Sequence, residues 1–144
     1  MVLELSTELG NRARERLSSE SHESIIWLTT VAKDGSPFPK PVWFWWDGEA
    51  ILVYSQPNAL ALKHLARSPR ASVNFDVAAG AGPGRVIAMT GAAVCSDAAE
   101  DGHSAGFLAK YASELPALLA EYGEDFSALY TVLIRIVPDR IMGH

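Results

Sequence analysis

The amino-acid sequence predicts an α+β fold, a six-stranded antiparallel barrel with helices inserted between its strands. Two observations lead there. Two Asp-Gly pairs, Asp34-Gly35 and Asp47-Gly48, follow one another between apolar runs, and both residue types tolerate positive φ, so each pair signals a tight hairpin. Strand-like runs then recur down the chain with helical segments set between some of them, rather than in the regular alternation that makes a parallel sheet.

Leu5, Leu9, Ala13 and Leu17 fall four apart among charged residues, which predicts an amphipathic N-terminal helix. Residues 18–21 form a polar linker. Residues 25–31 are a nearly continuous β-branched and aromatic run and read as a buried strand. The return strand is expected over 40–46 and the third over 51–55, giving a three-stranded meander. Residues 59–67 have helical composition, stopped by Ser68-Pro69. Over 71–77, Val73, Phe75 and Val77 alternate with Ser72, Asn74 and Asp76, as in a half-buried strand. A glycine-rich loop is expected at 78–84 and a strand at 85–94, where Ala88, Gly91, Ala92 and Ala93 permit close approach of another layer or a ligand. Residues 97–124 read as helical with an interruption near Leu115-Pro116, and 129–137 as the last strand. With no internal repeat, low-complexity tract or domain linker, residues 1–144 are expected to form one domain.

Composition narrows the function classes. The chain has 144 residues, 49% of them hydrophobic and 20% charged, and a formal charge of −5. That balance argues against general nucleic-acid binding, which needs a basic face. Cys95 is the sole cysteine, which excludes an internal disulfide and suits a reducing compartment. The N-terminus lacks the pattern of a secretory signal, and no apolar run reaches the ~18 residues of a membrane span. The expected location is cytoplasmic.

Most chemical motifs fail on inspection. Gly102-His103-Ser104-Ala105-Gly106 matches the Gly-x-Ser-x-Gly of hydrolase nucleophile elbows, but an acidic helical stretch precedes it where a core strand is required. His22, His64, His103 and His144 show no metal-ligand spacing, so no metal site is expected. The loop Gly80-Ala81-Gly82-Pro83-Gly84 lacks the ending of a phosphate loop. Two features remain. Lys63, Arg67 and Arg70 fall four and three apart, with His64 beside them and Ser55, Gln56 and Asn58 just upstream; in an acidic chain this cluster is the place for a phosphate. Trp43-Phe44-Trp45-Trp46 puts two aromatic side chains on each face of one strand. Both faces then need cover, from core on one and from a partner subunit or ring-shaped ligand on the other.

Taken together, residues 24–75 resemble the flavin-binding split-barrel superfamily of pyridoxamine-phosphate oxidase, and are most similar to its small coenzyme F420-dependent members in actinobacteria. The resemblance rests on Thr29-Thr30-Val31, Asp34-Gly35-Ser36-Pro37, Lys40-Pro41-Val42-Trp43-Phe44, Asp47-Gly48, Tyr54-Ser55, and Lys63-x-x-x-Arg67-x-Pro69-Arg70 leading into Val73-Asn74-Phe75. It implies a homodimer with two cofactor sites at the subunit interface. The ring system would lie on Lys40, Pro41, Val42 and Trp43, with Tyr54 nearby, and the phosphate on Ser55, Gln56, Lys63 and His64. Arg135 or Arg140 of the partner would close the site. Oxidases of this superfamily hold FMN with several arginines, whereas here the matching regions offer Lys40 and Lys63, which favours coenzyme F420, with FMN as the alternative.

The implied function is hydride transfer between the deazaflavin and a small, flat organic acceptor, with no catalytic acid–base residue required because the cofactor carries the chemistry. The alternatives are an FMN-binding oxidoreductase of the same fold, a non-catalytic deazaflavin, flavin or haem carrier, and a plain interaction module.

Overall fold

A computed structural model describes residues 7–18, 23–76, 86–98 and 102–143. The elements are α1 (Glu8–Leu17), β1 (Ile26–Val31), β2 (Pro37–Val42), β3 (Trp45–Trp46), β4 (Ile51–Ser55), α2 (Leu60–Arg67), β5 (Arg70–Phe75), β6 (Ile87–Asp97), α3 (Ala105–Lys110), α4 (Leu115–Tyr122), α5 (Phe126–Leu129) and β7 (Val132–Gly143). Among the described residues, seven strands lie in one antiparallel sheet in the order β2-β1-β5-β6-β7-β4-β3. The two strands at opposite ends of that order, β2 and β3, are neighbours in sequence, separated by Trp43 and Phe44 alone. Two residues cannot bridge a flat sheet of that width. The sheet must therefore curl until its ends meet, and the result is a barrel.

The seventh strand arises because the return strand breaks in two. Its first part pairs with β1, Ile26 opposite Val42 through Val31 opposite Pro37, and its last two residues pair with Leu52 and Ile51 of β4. The expected meander is thus split between two partners. The strand also begins at Pro37 rather than residue 40, because Pro37, Pro39 and Pro41 sit on an edge where a missing N–H breaks no ladder bond. The last strand starts later than expected, residue 129 closing the short helix α5, and runs on to Gly143 beside the full length of β6. At Gly91 these two strands approach closely: a Cβ there would strike the Val137 carbonyl, beside the register shift between Thr90 and Gly91. The expected loop at 78–84 lies outside the described residues.

Both hairpins form as the Asp-Gly pairs require. Gly35 and Gly48 have φ of 89° and 100°. The Asp34 carboxylate accepts the Ser36 N–H at 2.9 Å, and that of Asp47 accepts those of Glu49 and Ala50 at 2.9 and 2.7 Å.

The aromatic run separates two clusters, as its alternation demands. Phe44 is fully buried and Trp46 packs beside it in the barrel core, with Ile26, Ile51, Val73, Met89, Ile134 and the α1 residues Ala13 and Leu17. Trp43 and Trp45 point the other way, against Tyr54, Phe107, Tyr111 and Phe126. The second face is therefore covered largely from within the chain, by α3 to α5. Gly106 of α3 lies directly on the Trp45 ring, where any Cβ would clash.

Where the strand breaks, Phe44 loses its ladder partners. Its N–H donates to the Tyr111 hydroxyl at 2.9 Å, and its carbonyl accepts from Lys110 Nζ at 3.0 Å. The Tyr111 hydroxyl in turn donates to the Ser24 carbonyl at 2.7 Å. A buried backbone group left unpaired costs roughly 1–3 kcal/mol, as much as burying an aromatic side chain contributes, so these two side chains decide whether Phe44 can be inserted. The ammonium also sits 3.5 Å from the Phe44 ring centroid.

Burial pulls the Lys110 amine down to about 8, against an opposing pull from Glu23, and pushes the Tyr111 phenol up to about 12. Between pH 8 and its ordinary 10.5, Lys110 has released a proton that the unfolded chain still holds, so stability rises with pH. Above its ordinary 10, Tyr111 keeps a proton that the unfolded chain has lost, so stability falls toward pH 12. Thermal melts between pH 7 and 12 should show this pair's contribution rising and then falling, with a maximum near pH ~10. Lys110→Met should abolish the rising limb and leave the fall. An unchanged rising limb would assign it to another group.

Candidate functional site

Because β2 pairs with β1 and only β3 continues the contact with β4, a cleft opens between β2 and β4 just above the break. It holds a cavity of about 480 Å³, within the ~300–1,000 Å³ typical of small-molecule sites. The floor comes from Leu28, Val53 and Ile134 of the barrel, and the roof from Phe107, Leu118 and Phe126 of the three C-terminal helices. Lys40, Pro41, Val42, Trp43, Tyr54, Ser55 and Gln56, all expected at a cofactor site from the sequence, line it together.

The walls are largely aromatic. Trp43 is stacked on Tyr111, with centroids 4.5 Å apart and planes at 7°, and reaches Phe126 at 5.9 Å. Phe126 stacks on Tyr130 at 4.5 Å, while Tyr54 meets Phe107 edge-on at 4.8 Å. Such contacts fix ring orientation, so the Trp43 face is held in place rather than swinging into the space. The Tyr54 hydroxyl accepts the Ser104 N–H at 2.8 Å.

The polar side chains of the lining are Thr30, Lys40, Ser55, Gln56 and Asn58, besides the Tyr54 and Tyr130 hydroxyls. Ser55 is buried at the end of β4, its hydroxyl donating to the Gln56 carbonyl at 2.9 Å. Gln56, Asn58 and Ala59 carry the rim to the start of α2. Lys40 is the sole cation among the described lining residues, exposed on β2.

Three expected residues stand elsewhere. His64 is turned inward from α2, its Nδ1 2.8 Å from the hydroxyl of buried Thr30, and its ring lies edge-on to Phe38. It supports the cavity wall from behind, since Thr30 and Phe38 line the space and His64 does not. Lys63 is exposed on α2 outside the cavity. It follows rim residue Ala59 by four positions, with Arg67 four further on, so a short line of cations leads away from the rim. Arg140 is exposed near the end of β7, opposite Thr90 and away from the cavity. The phosphate cluster does not converge as a whole, because Arg70 is held by both carboxylate oxygens of Asp139, at 2.9 and 2.7 Å. Arg135 faces Glu49 at 3.6 Å.

The roof was absent from the sequence-based site. Phe107 and Tyr111 fall four apart, as do Phe126 and Tyr130, a spacing that marks apolar helical faces but does not say what they cover.

Ser104 is no nucleophile here. It caps α3, its hydroxyl accepting the Phe107 N–H at 3.3 Å. His103 beside it points Nε2 at the Tyr130 carbonyl, 2.6 Å away, so that nitrogen must donate and is unavailable as a base. Among the described residues no group of three or more His, Cys, Asp or Glu side chains could hold a metal ion, and no helix is long and apolar enough to cross a membrane.

Comparison with solved structures finds the same fold in proteins of diverse description. An F420 reductase aligns with a TM-score of 0.61 at 17% identity, over 89% of this chain and 94% of that one. General Stress Protein 26 from Bacillus anthracis gives 0.61 at 17%, over 94% and 92%. HutZ, the haem storage protein from Vibrio cholerae, gives 0.57 at 16%, over 99% and 95%. At such identities the likeness establishes the fold alone. No curated protein sequence gives a significant match. The model of the family described as Pyridoxamine 5'-phosphate oxidase matches residues 12–141, nearly the whole chain, including the broken strand, the cleft and the helices that roof it. By that match and by its split barrel, this protein belongs to the pyridoxamine 5'-phosphate oxidase family.

Proposed function

We propose that the cleft binds the deazaflavin coenzyme F420 and that the protein is an oxidoreductase transferring hydride between it and a small, flat organic acceptor. The observation that carries this reading is a cavity lined by aromatic rings, among them Trp43, and by the polar side chains of Lys40, Ser55, Gln56 and Asn58, with α2 cations leading outward. That layout suits a ring with a long anionic tail. An F420 reductase among the solved structures of this fold supports the same direction.

The residues fit the group. Trp43 offers a held flat face, and Lys40 with the hydroxyl and amide side chains offers donors for a phosphodiester. A phosphate dianion such as that of FMN would want more positive charge than Lys40 supplies. When bound, the reduced deazaflavin supplies the hydride. The chain's own part is to hold the ring, keep water from it with Phe107, Leu118 and Phe126, and leave room for the acceptor. No side chain need move a proton for the hydride step itself. In this reading two copies assemble, and Arg140, remote from its own cavity, serves the partner's site.

Tryptophan-fluorescence titration of the purified protein with coenzyme F420 and, separately, with FMN tests this. Saturable quenching with F420 tighter than FMN is expected; the reverse order would make the protein a flavin enzyme, and binding of neither would remove the cofactor reading. Lys40→Ala should weaken F420 binding by roughly 1.5–3 kcal/mol, the range for a hydrogen bond to a charged group. Lys63→Ala should weaken F420 severalfold, through an exposed pairing of about 0.2–1 kcal/mol, and leave FMN unaffected because its phosphate ends inside the rim. An equal effect of Lys63→Ala on both ligands would place the phosphate on α2. Ser104→Ala should leave turnover of the reduced cofactor unchanged apart from the lost α3 cap, and hydrolysis of an activated ester by the native protein that this variant abolishes would revive the hydrolase motif.

A further inference from the structure

Prolines occupy every second position of β2: Pro37, Pro39 and Pro41. Antiparallel pairs alternate between those that exchange hydrogen bonds and those that turn their backbone groups away. The Ala32 N–H donates to the Ser36 carbonyl at 2.9 Å, which sets the phase of the β1–β2 ladder. Counting on from it, Phe38, Lys40 and Val42 bond inward to Thr30, Leu28 and Ile26, while the three prolines face outward. Proline has a carbonyl and no N–H. An ordinary edge offers donors and acceptors in turn. This one offers acceptors alone.

The edge borders the cleft. β2 ends the sheet order, Pro41 lines the cavity, and Phe38, Lys40 and Val42 line it from the same strand. Across the gap the lip is different. The Asp47 N–H donates to the Ala50 carbonyl at 3.1 Å, and the same alternation gives Trp45 and Leu52 the next exchanging pair. One step further the strand is broken, so both the N–H and the C=O of Tyr54 turn toward the cleft.

We infer that the β2 edge is a polarity filter that fixes how the ligand ring enters. It accepts a hydrogen bond from a ring N–H and turns away ring edges that carry only lone pairs. Successive outward carbonyls are roughly 7 Å apart, two residues along a strand. A ring imide therefore presents its N–H to one of them while its own two carbonyls fall into the gaps on either side. The anionic tail is kept off the β2 backbone by the same row of oxygens and runs toward Ser55, Gln56 and α2, with the Lys40 side chain as its partner from β2. This orientation rests on the deazaflavin reading above, because that ring carries one such imide.

The test compares 5-deazariboflavin with its N3-methyl derivative, alongside coenzyme F420, by fluorescence titration of the full-length protein. The native protein should lose about tenfold in affinity on methylation, the equivalent of one net hydrogen bond. Pro41→Ala, which restores a donor to the edge, should narrow that gap by admitting the methylated ring, whereas Pro37→Ala, beyond the cavity, should not. The narrowing separates a polarity filter from simple obstruction by the methyl group. Equal binding of the two rings by the native protein, or a gap that Pro41→Ala leaves intact, overturns the filter while the F420 titration keeps the site. Binding of neither F420 nor the rings overturns both. Should Pro41→Ala fail to fold, Pro41→Val, which restores the same N–H with a residue suited to a strand, makes the comparison instead.

Discussion

The backbone of Phe44 is held by side chains instead of by a neighbouring strand, and the remainder of the fold is arranged around that fact. A strand that paired without interruption would seal β2 against β4 and leave no cleft. At the break Phe44 passes beyond the β1–β2 ladder, and in this dry place Tyr111 and Lys110 bond its N–H and C=O instead. They come from the end of α3, and Tyr111 also stacks against Trp43. One helix end thus keeps the strand open, orients the aromatic wall beside the opening and starts the roof above it. Barrel closure and ligand space are a single structural solution.

The sequence carried most of the fold because its signals were local. Asp-Gly pairs fixed the hairpins, alternation fixed which of Trp43 to Trp46 faced the core, and Ser68-Pro69 ended α2 close to the expected residue. The misplaced boundaries share one cause, which is that their determinants lie far away in the chain. Three prolines argue against a strand until one knows that the strand is an edge. The break at Trp43–Phe44 is invisible without Lys110 and Tyr111, some 67 residues on. The face expected to need a partner or ligand is covered by helices whose apolar spacing was plain but whose destination was not.

The candidate site was legible to the same degree. Residues on β2 and β4 that the resemblance singled out meet in one cavity because they flank the break. The α2 residues divide by helical phase, with His64 inward on Thr30 and Lys63 outward with Arg67. Spacing alone had grouped them as one phosphate cluster, and Arg70 joined them by proximity in sequence while its charge is taken up by Asp139. Since this fold is shared by proteins described as a reductase, a stress protein and a haem storage protein, the chemistry must be sought in these particular side chains.

A curled sheet whose ends are halves of one broken strand still has two open borders, and open borders invite other chains to zip on. Here each border is blunted by a different device. β3 is two residues long, too short to template a growing ladder. β2 is long enough but has no outward donor at Pro37, Pro39 or Pro41, so an incoming strand would find half of its bonds missing. The exposed apolar side chain of Phe38 can therefore stand at the surface without seeding aggregation.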